Sequence, residues 1–363
     1  MIIVISICVI AVFFVQLEAK QKISFGYGLA FLLVTFLQAV HYDYGNDYMV
    51  YMSEFNFFTY KPFSYTYLIE CIRYRDPLWP IVCYMFKPFG FFALVAFFAI
   101  IQNVIYFYFI KQFVPEKWLA LGVFIYLFTP QLYLLNMSML RQGFVEAIFI
   151  LSFMIVQKKE LYRYVIAICL MLIAGQIHSS ANLFILFLFW PLIPIKKGEW
   201  LAIFLLILFV VSRLSSSFIE NVIYFFLKMQ VFERFEQYSD TQGGKIGLGY
   251  LIMSIPAIMI LLFLKESQSE KEKQLVSMAV FERIMGAFSA VIMLAGRLSI
   301  FFSLFYMVAV PIVYSKIKDY SLKLGLSMIF IAITIYNYLS FFNDPTYFTY
   351  YEQFHTIFEV VLK

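Results

Sequence analysis

Apolar runs of roughly 17–25 residues recur from the first residue to beyond residue 340, and each is long enough to cross about 30 Å of hydrocarbon as a helix. This pattern removes most folds. Inside a bilayer the backbone must satisfy its own N–H and C=O groups, which leaves helices and closed barrels. Barrel strands alternate apolar and polar residues, and these runs do not. Charged residues make up 13% of the 363, against roughly 25% in soluble domains, and 63% are hydrophobic. The chain is therefore expected to be an all-α polytopic integral membrane protein.

The runs predict about twelve spans, near 1–17, 23–41, 91–110, 118–135, 142–157, 161–177, 180–195, 200–213, 247–264, 275–295, 298–315 and 321–340. Residues 78–89, interrupted by Pro80, Lys87 and Pro88, are too short to cross and are expected to lie at the interface or re-enter. All of residues 1–363 read as one transmembrane domain. Two long loops stand out, 41–90 and 214–247. Lysines fall in every second loop: Lys20 and Lys22, Lys111 and Lys117, Lys158 and Lys159, Lys196 and Lys197, Lys265 to Lys273, and Lys316 to Lys323. The positive-inside rule makes these loops cytoplasmic and turns both termini outward. The net charge of +5 is accounted for in the same way, so nucleic acid is not an expected partner. The four cysteines show no metal-ligand spacing, so neither a metal nor another cofactor is called for; Cys71 and Cys83 admit at most one disulfide. Residues 1–16 lack a basic leader and read as a helix rather than a signal peptide.

Lysine dominates the cytoplasmic loops, whereas most arginines fall on the opposite side: Arg73, Arg75, Arg141, Arg213, Arg234 and Arg297. A guanidinium fork suits bidentate phosphate recognition better than lysine's point charge. Arg141 opens a helix after the turn 136–142, where the positive end of the helix repels it unless an anion intervenes. It either binds phosphate or snorkels to lipid headgroups. Gly296-Arg297 repeats the placement, and two such arginines fit a diphosphate.

His178, in the outer turn Gln176-Ile-His178-Ser-Ser-Ala-Asn182, sits at the mouth of a helix that Ser179 or Ser180 can cap. There a neutral imidazole would serve as a base, the alternative being a packing histidine. Asp47, following a short turn, would serve as a base or sugar anchor, or is a plain turn aspartate. The tyrosines and carboxylates of residues 41–75 suit sugar stacking and hydroxyl binding, and equally an interfacial belt. Ser217-x-x-Glu220 opens an amphipathic pattern through Phe232, read as a helix on the outer leaflet, whether lid or lipid cover. Glu282 and Arg283 lie inside a span, as a functional or mutually neutralising pair.

Gly45-x-Asp47-Tyr48-x-x-Tyr51, Asp76-Pro77-Leu78, Asn136-x-x-x-x-Arg141-Gln142, His178-x-Ser180-Ala181 and Arg297-x-x-x-Phe301-Phe302 resemble, in order, motifs of EpsG-like, Wzy-type bacterial polysaccharide polymerases. His41 stands where that family commonly has arginine, and Phe301 where tyrosine is usual.

The resemblance implies a fold akin to the GT-C glycosyltransferases. It also implies polymerisation of undecaprenyl-diphosphate-linked oligosaccharide on the outer face of the bacterial plasma membrane, for O-antigen, capsule or exopolysaccharide. Flippase and chain-length-regulator proteins would be the protein partners. With it, the expected catalytic residues are His178, Asp47, Arg141 and Arg297, and the expected substrate-binding residues are Asn136, Gln142, Tyr48, Arg73, Arg75 and Arg234. Two other classes of function fit an outer-face site of this kind, a flippase for the same lipids and a glycan ligase. A transporter's inverted repeats and paired broken helices are not found in the sequence.

Overall fold

The computed structural model describes residues 1–62, 64–193, 248–262, 269–289 and 293–361, and these form helices apart from one short strand pair. The chain divides into two compact units, Met1–Ile193 with Thr334–Lys363, and Pro194–Ile333.

In the first unit α1 (Ile2–Ala19), α2 (Gly26–Val40) and α6 (Phe91–Phe113) are long apolar helices. The 23 residues of α6 span about 34 Å, and 61% of its most apolar stretch is buried, against 22% for α1. Thus α6 is the bundle's centre, and α1 turns most of its surface outward, as a lipid-facing helix does. The loop 41–90 folds into α3 (Tyr48–Tyr60), α4 (Tyr65–Arg73) and α5 (Leu78–Met85). At eight residues, about 12 Å, α5 is too short to cross, and Lys87 and Pro88 follow just after its end, as the sequence implies.

After α6 come α7 (Leu119–Phe128), α8 (Leu134–Ser138) and α9 (Leu140–Val156), then α10 (Leu161–Gly175) and α11 (Ala181–Phe184), which tightens into a 3-10 stretch, Ile185–Leu192. The expected span 118–135 is thereby broken, because Thr129 and Pro130 stop α7 before α8 begins. A single residue, Met139, with φ −87° and ψ 61°, separates α8 from α9.

Phe98 stacks on Phe144 with ring centroids 4.8 Å apart, so α6 and α9 start at the same end and run side by side. At their far end lie the lysines: Lys111 sits over the Tyr27 ring, and the Tyr27 hydroxyl donates to the Phe107 carbonyl. At the near end β1 (His41–Tyr42) pairs antiparallel with β2 (His355–Thr356), the Gly45 N–H donates to Tyr350, and the Met1 amino group donates to Glu352. The chain termini and the loop 41–48 therefore close over the end opposite the lysines.

The second unit contains α12 (Leu248–Leu262), α13 (Glu270–Ser289), α14 (Met293–Ser303) and α15 (Tyr306–Lys316). A reciprocal capping box opens α13: the Ser269 N–H donates to Glu272, and the Glu272 N–H donates to Ser269 Oγ. The segments Gly296–Ser303 and Tyr306–Lys316 meet at a 48° bend, and each is too short to span alone. Arg283 bonds the neighbouring Glu282 carboxylate, so the two charges neutralise each other locally. A last long helix, α16 (Tyr320–Asn343), is followed by α17 (Pro345–Tyr351) and α18 (Phe358–Val361). By length and composition α1, α6 and α16 can each cross a membrane, and the bent pair makes a fourth. The expected span 200–213 and amphipathic segment 217–233 lie outside the described residues, as do Arg213 and Arg234.

Candidate functional site

Arg141 is the second residue of α9, as its position after the turn implies. Its anion is internal. Arg141 Nη1 donates to Asp76 Oδ2 at 3.1 Å, across 65 residues of sequence. The Asp76 carboxylate is almost wholly buried, and its other oxygen accepts from the Ser179 N–H at 3.1 Å. One carboxylate thus joins the short segment before α5, the start of α9 and the turn between α10 and α11. Next to it the Leu78 N–H donates to the Gln176 carbonyl at 2.9 Å, so two bonds fasten the α5 segment to the histidine turn. Burial pushes the Asp76 carboxyl above its usual value; Arg141, then Arg75 and the Ser179 N–H, pull it back toward the charged form.

Aromatic rings complete the setting of the guanidinium. Its carbon lies 5.4 Å from the Trp79 ring centre and 5.5 Å from that of Tyr51, within cation–π range. Trp79 is fixed in turn, since its indole N–H donates to Glu54 Oε2 at 2.7 Å; the Tyr74 hydroxyl donates to the other Glu54 oxygen at 3.4 Å. Burial raises the Tyr51 phenol to about 12, against the opposing pull of Arg141, so it serves as a neutral hydroxyl. Arg141 Nε is buried without a hydrogen-bond acceptor.

Asp47 reaches this end by a different route. Gly45 has φ +110°, and a Cβ there would lie 2.2 Å from Ser138 Cβ, so the turn needs glycine for its conformation and for its closeness to α8. Ser138 Oγ then accepts from the Asp47 N–H at 2.8 Å. Asp47 occupies the N-cap position of α3, one turn before Tyr51. The His178 turn is closed by its own backbone: the His178 N–H donates to Ala174 and its carbonyl accepts from Ala181. Ser180 stands at the N-cap of α11 without a capping bond, and its buried hydroxyl lacks a partner.

The first unit therefore brings Asp47, Arg141 and the His178 turn together at the end opposite the lysines. Other expected site residues are placed differently. Tyr48 is wholly buried in an aromatic cluster, its hydroxyl donating to the His41 carbonyl. Asn136 and Gln142 are buried and turn inward to Glu146. Arg73 and Arg75 are exposed around the end of α4. Arg297 is exposed on the second turn of α14 in the second unit, rather than at the helix start. All four cysteines are thiols, Cys71 and Cys83 among them.

From the sequence, Tyr51 and Glu54 read as part of the aromatic, acidic loop, and Tyr51 and Asp76 as parts of family motifs; Trp79, Ser138 and Glu146 carry no role there. Asp76 carried a usable signal: an aspartate directly before proline, beside two arginines, in a segment too short to span.

The protein is thus a helical membrane protein that holds an arginine among carboxylates and aromatic rings at one end of its bundle. The EpsG family model matches residues 24–354, nearly the whole chain, and the protein belongs to that family. No curated protein and no solved structure matches it.

Proposed function

We propose that this protein polymerises undecaprenyl-diphosphate-linked oligosaccharide repeat units by inverting glycosyl transfer on the outer face of the bacterial plasma membrane. About twelve spans in a GT-C-like arrangement would carry the site. The acceptor sugar hydroxyl attacks the anomeric carbon of the donor as His178 or Asp47 takes its proton. The bond from that carbon to the phosphate oxygen breaks, and its electrons pass to the diphosphate. Arg141 stabilises the charge that develops there, and Arg297 is the second arginine that the sequence offers for the diphosphate. Exposed Arg73 and Arg75, and Arg234, would contact the diphosphate or sugars; flippase and chain-length-regulator proteins would supply and limit the substrate.

The observation that carries this reading is the setting of Arg141. Asp76 engages Nη1, and the Tyr51 and Trp79 rings lie within cation–π range of the guanidinium. An arginine held in place beforehand is what leaving-group stabilisation requires, because positioned donors need no reorganisation as charge forms. The Asp47 and His178 turns at the same end supply the base.

Purified protein in proteoliposomes, given lipid-diphosphate repeat units, should yield a ladder of lengthening products. Lipid translocation without a ladder would make it a flippase. Transfer of single units to a separate acceptor would make it a ligase. Cysteine placed at position 141 and labelled only from the cytoplasmic side would overturn the orientation.

A further inference from the structure

The Arg141 site leaves one buried acid unexplained. Glu146 lies on α9, five residues past Arg141, and has no exposed surface. Among the described residues it joins no ion pair. Its partners are two carboxamides: Gln142 Nε2 donates to one oxygen at 2.9 Å, and Asn136 Nδ2 to the other at 3.2 Å. Asn136 Nδ2 also donates to the Leu132 carbonyl at 2.8 Å, in the turn before α8. Glu146 thus ties the second turn of α9, across the non-helical Met139, to α8 and the turn that precedes it.

The neighbouring groups are packed to keep that tie. A Cβ on Gly143 would come within 2.8 Å of Gln102 Nε2 and 3.1 Å of Asn136 Oδ1, so α6 and α8 crowd the same face of α9. Beyond Gln102 the polar contacts continue: Gln38 Nε2 donates to Gln102, Asn103 Nδ2 to Gln38, and the Tyr126 hydroxyl to Asn103. An acid buried between membrane helices is costly, and an apolar residue would fill the space without that cost.

We propose that Glu146 is a positioning residue for Arg141. By clamping Asn136 and Gln142 on either side of the Met139 break, it sets the angle at which the first turn of α9 presents the guanidinium to the substrate diphosphate. The inference rests on the proposed role of Arg141. It assigns Asn136 and Gln142 to holding the helix break.

The test compares R141A, R141K, E146Q, E146L and the double variant R141K/E146Q in proteoliposomes at matched protein levels, with undecaprenyl-diphosphate repeat units as substrate. E146L, which removes both acceptors, should lower kcat by about tenfold or more while KM changes by less than about threefold. E146Q keeps one of the two acceptors and should lose about two- to fivefold, a partial rescue that loss of packing would not give. In the R141K background E146Q should cost nothing further, because the group it positions has lost its fork. Normal kcat in E146L, equal losses in E146Q and E146L, or additive losses in the double variant would each overturn the proposal. If E146L does not accumulate in the membrane, the R141K/E146Q comparison decides alone. An inactive R141A beside unaffected Glu146 variants would sink this proposal only, whereas a fully active R141A would sink the reading of Arg141 as well.

Discussion

Replacing Asp76 by asparagine tests the core of the site with almost no change in volume. The side chain keeps one acceptor oxygen but exchanges the other for an NH2 group. That group must face either Arg141 Nη1 or the Ser179 N–H, both donors at 3.1 Å in the native protein. One of two bonds is therefore lost, and two donors are set against each other. Breaking a buried ion pair by removing one partner costs about 3–5 kcal/mol, because the remaining charge is left without compensation. The Arg141 side chain is 15% exposed, so water recovers part of this, and we expect about 2–3 kcal/mol. Thermal denaturation of the detergent-solubilised protein, followed by loss of monodisperse protein, should show D76N and R141Q each lowering the midpoint. The double variant should lie well above the sum of the two losses, because the second substitution removes a partner already lost. Each single variant should also fail to build polymer. Strictly additive losses, or a D76N protein with normal stability and a normal product ladder, would refute the pairing as the organising contact.

Arg141→Lys keeps the charge but loses the fork, and should slow turnover by roughly ten- to hundred-fold, from about 1.5–3 kcal/mol of lost transition-state contact; near-normal chain lengths would count against a diphosphate role. His178→Ala should abolish polymerisation while binding of the lipid diphosphate persists; full polymer from this variant with Asp47→Asn inactive would assign the base to Asp47. Gly45→Ala should destabilise the 45–47 turn by about 1–3 kcal/mol, from positive φ and collision with Ser138, seen as a lowered midpoint of thermal denaturation. Trp79→Phe retains a ring over Arg141 but removes the indole N–H that donates to Glu54, and should lower activity less than Trp79→Ala.

The sequence by itself determined the class of protein, the apolar helices, the short non-crossing segment after Pro77 and the placement of Arg141 at a helix start. These follow from run length, from proline, and from backbone hydrogen bonds made within a few residues of each donor, so local sequence carries them. It also singled out Asp47 and His178, whose turns the fold brings to one end. Only the tertiary structure decided that the charge answering Arg141 is Asp76, 65 residues earlier, and that Trp79 and Tyr51 flank it. Only there do Asn136 and Gln142 turn inward to Glu146, an acid that looks in sequence like a lone interruption of an apolar run. The reason is physical. Side-chain partners of buried charges are chosen by which helices pack together, and an apolar face that seals against lipid is the same whichever neighbour it meets. The turns of α9 carry no local mark of which group answers Arg141 within the protein; the docking of α5 and the α10–α11 turn against them brings Asp76 to it.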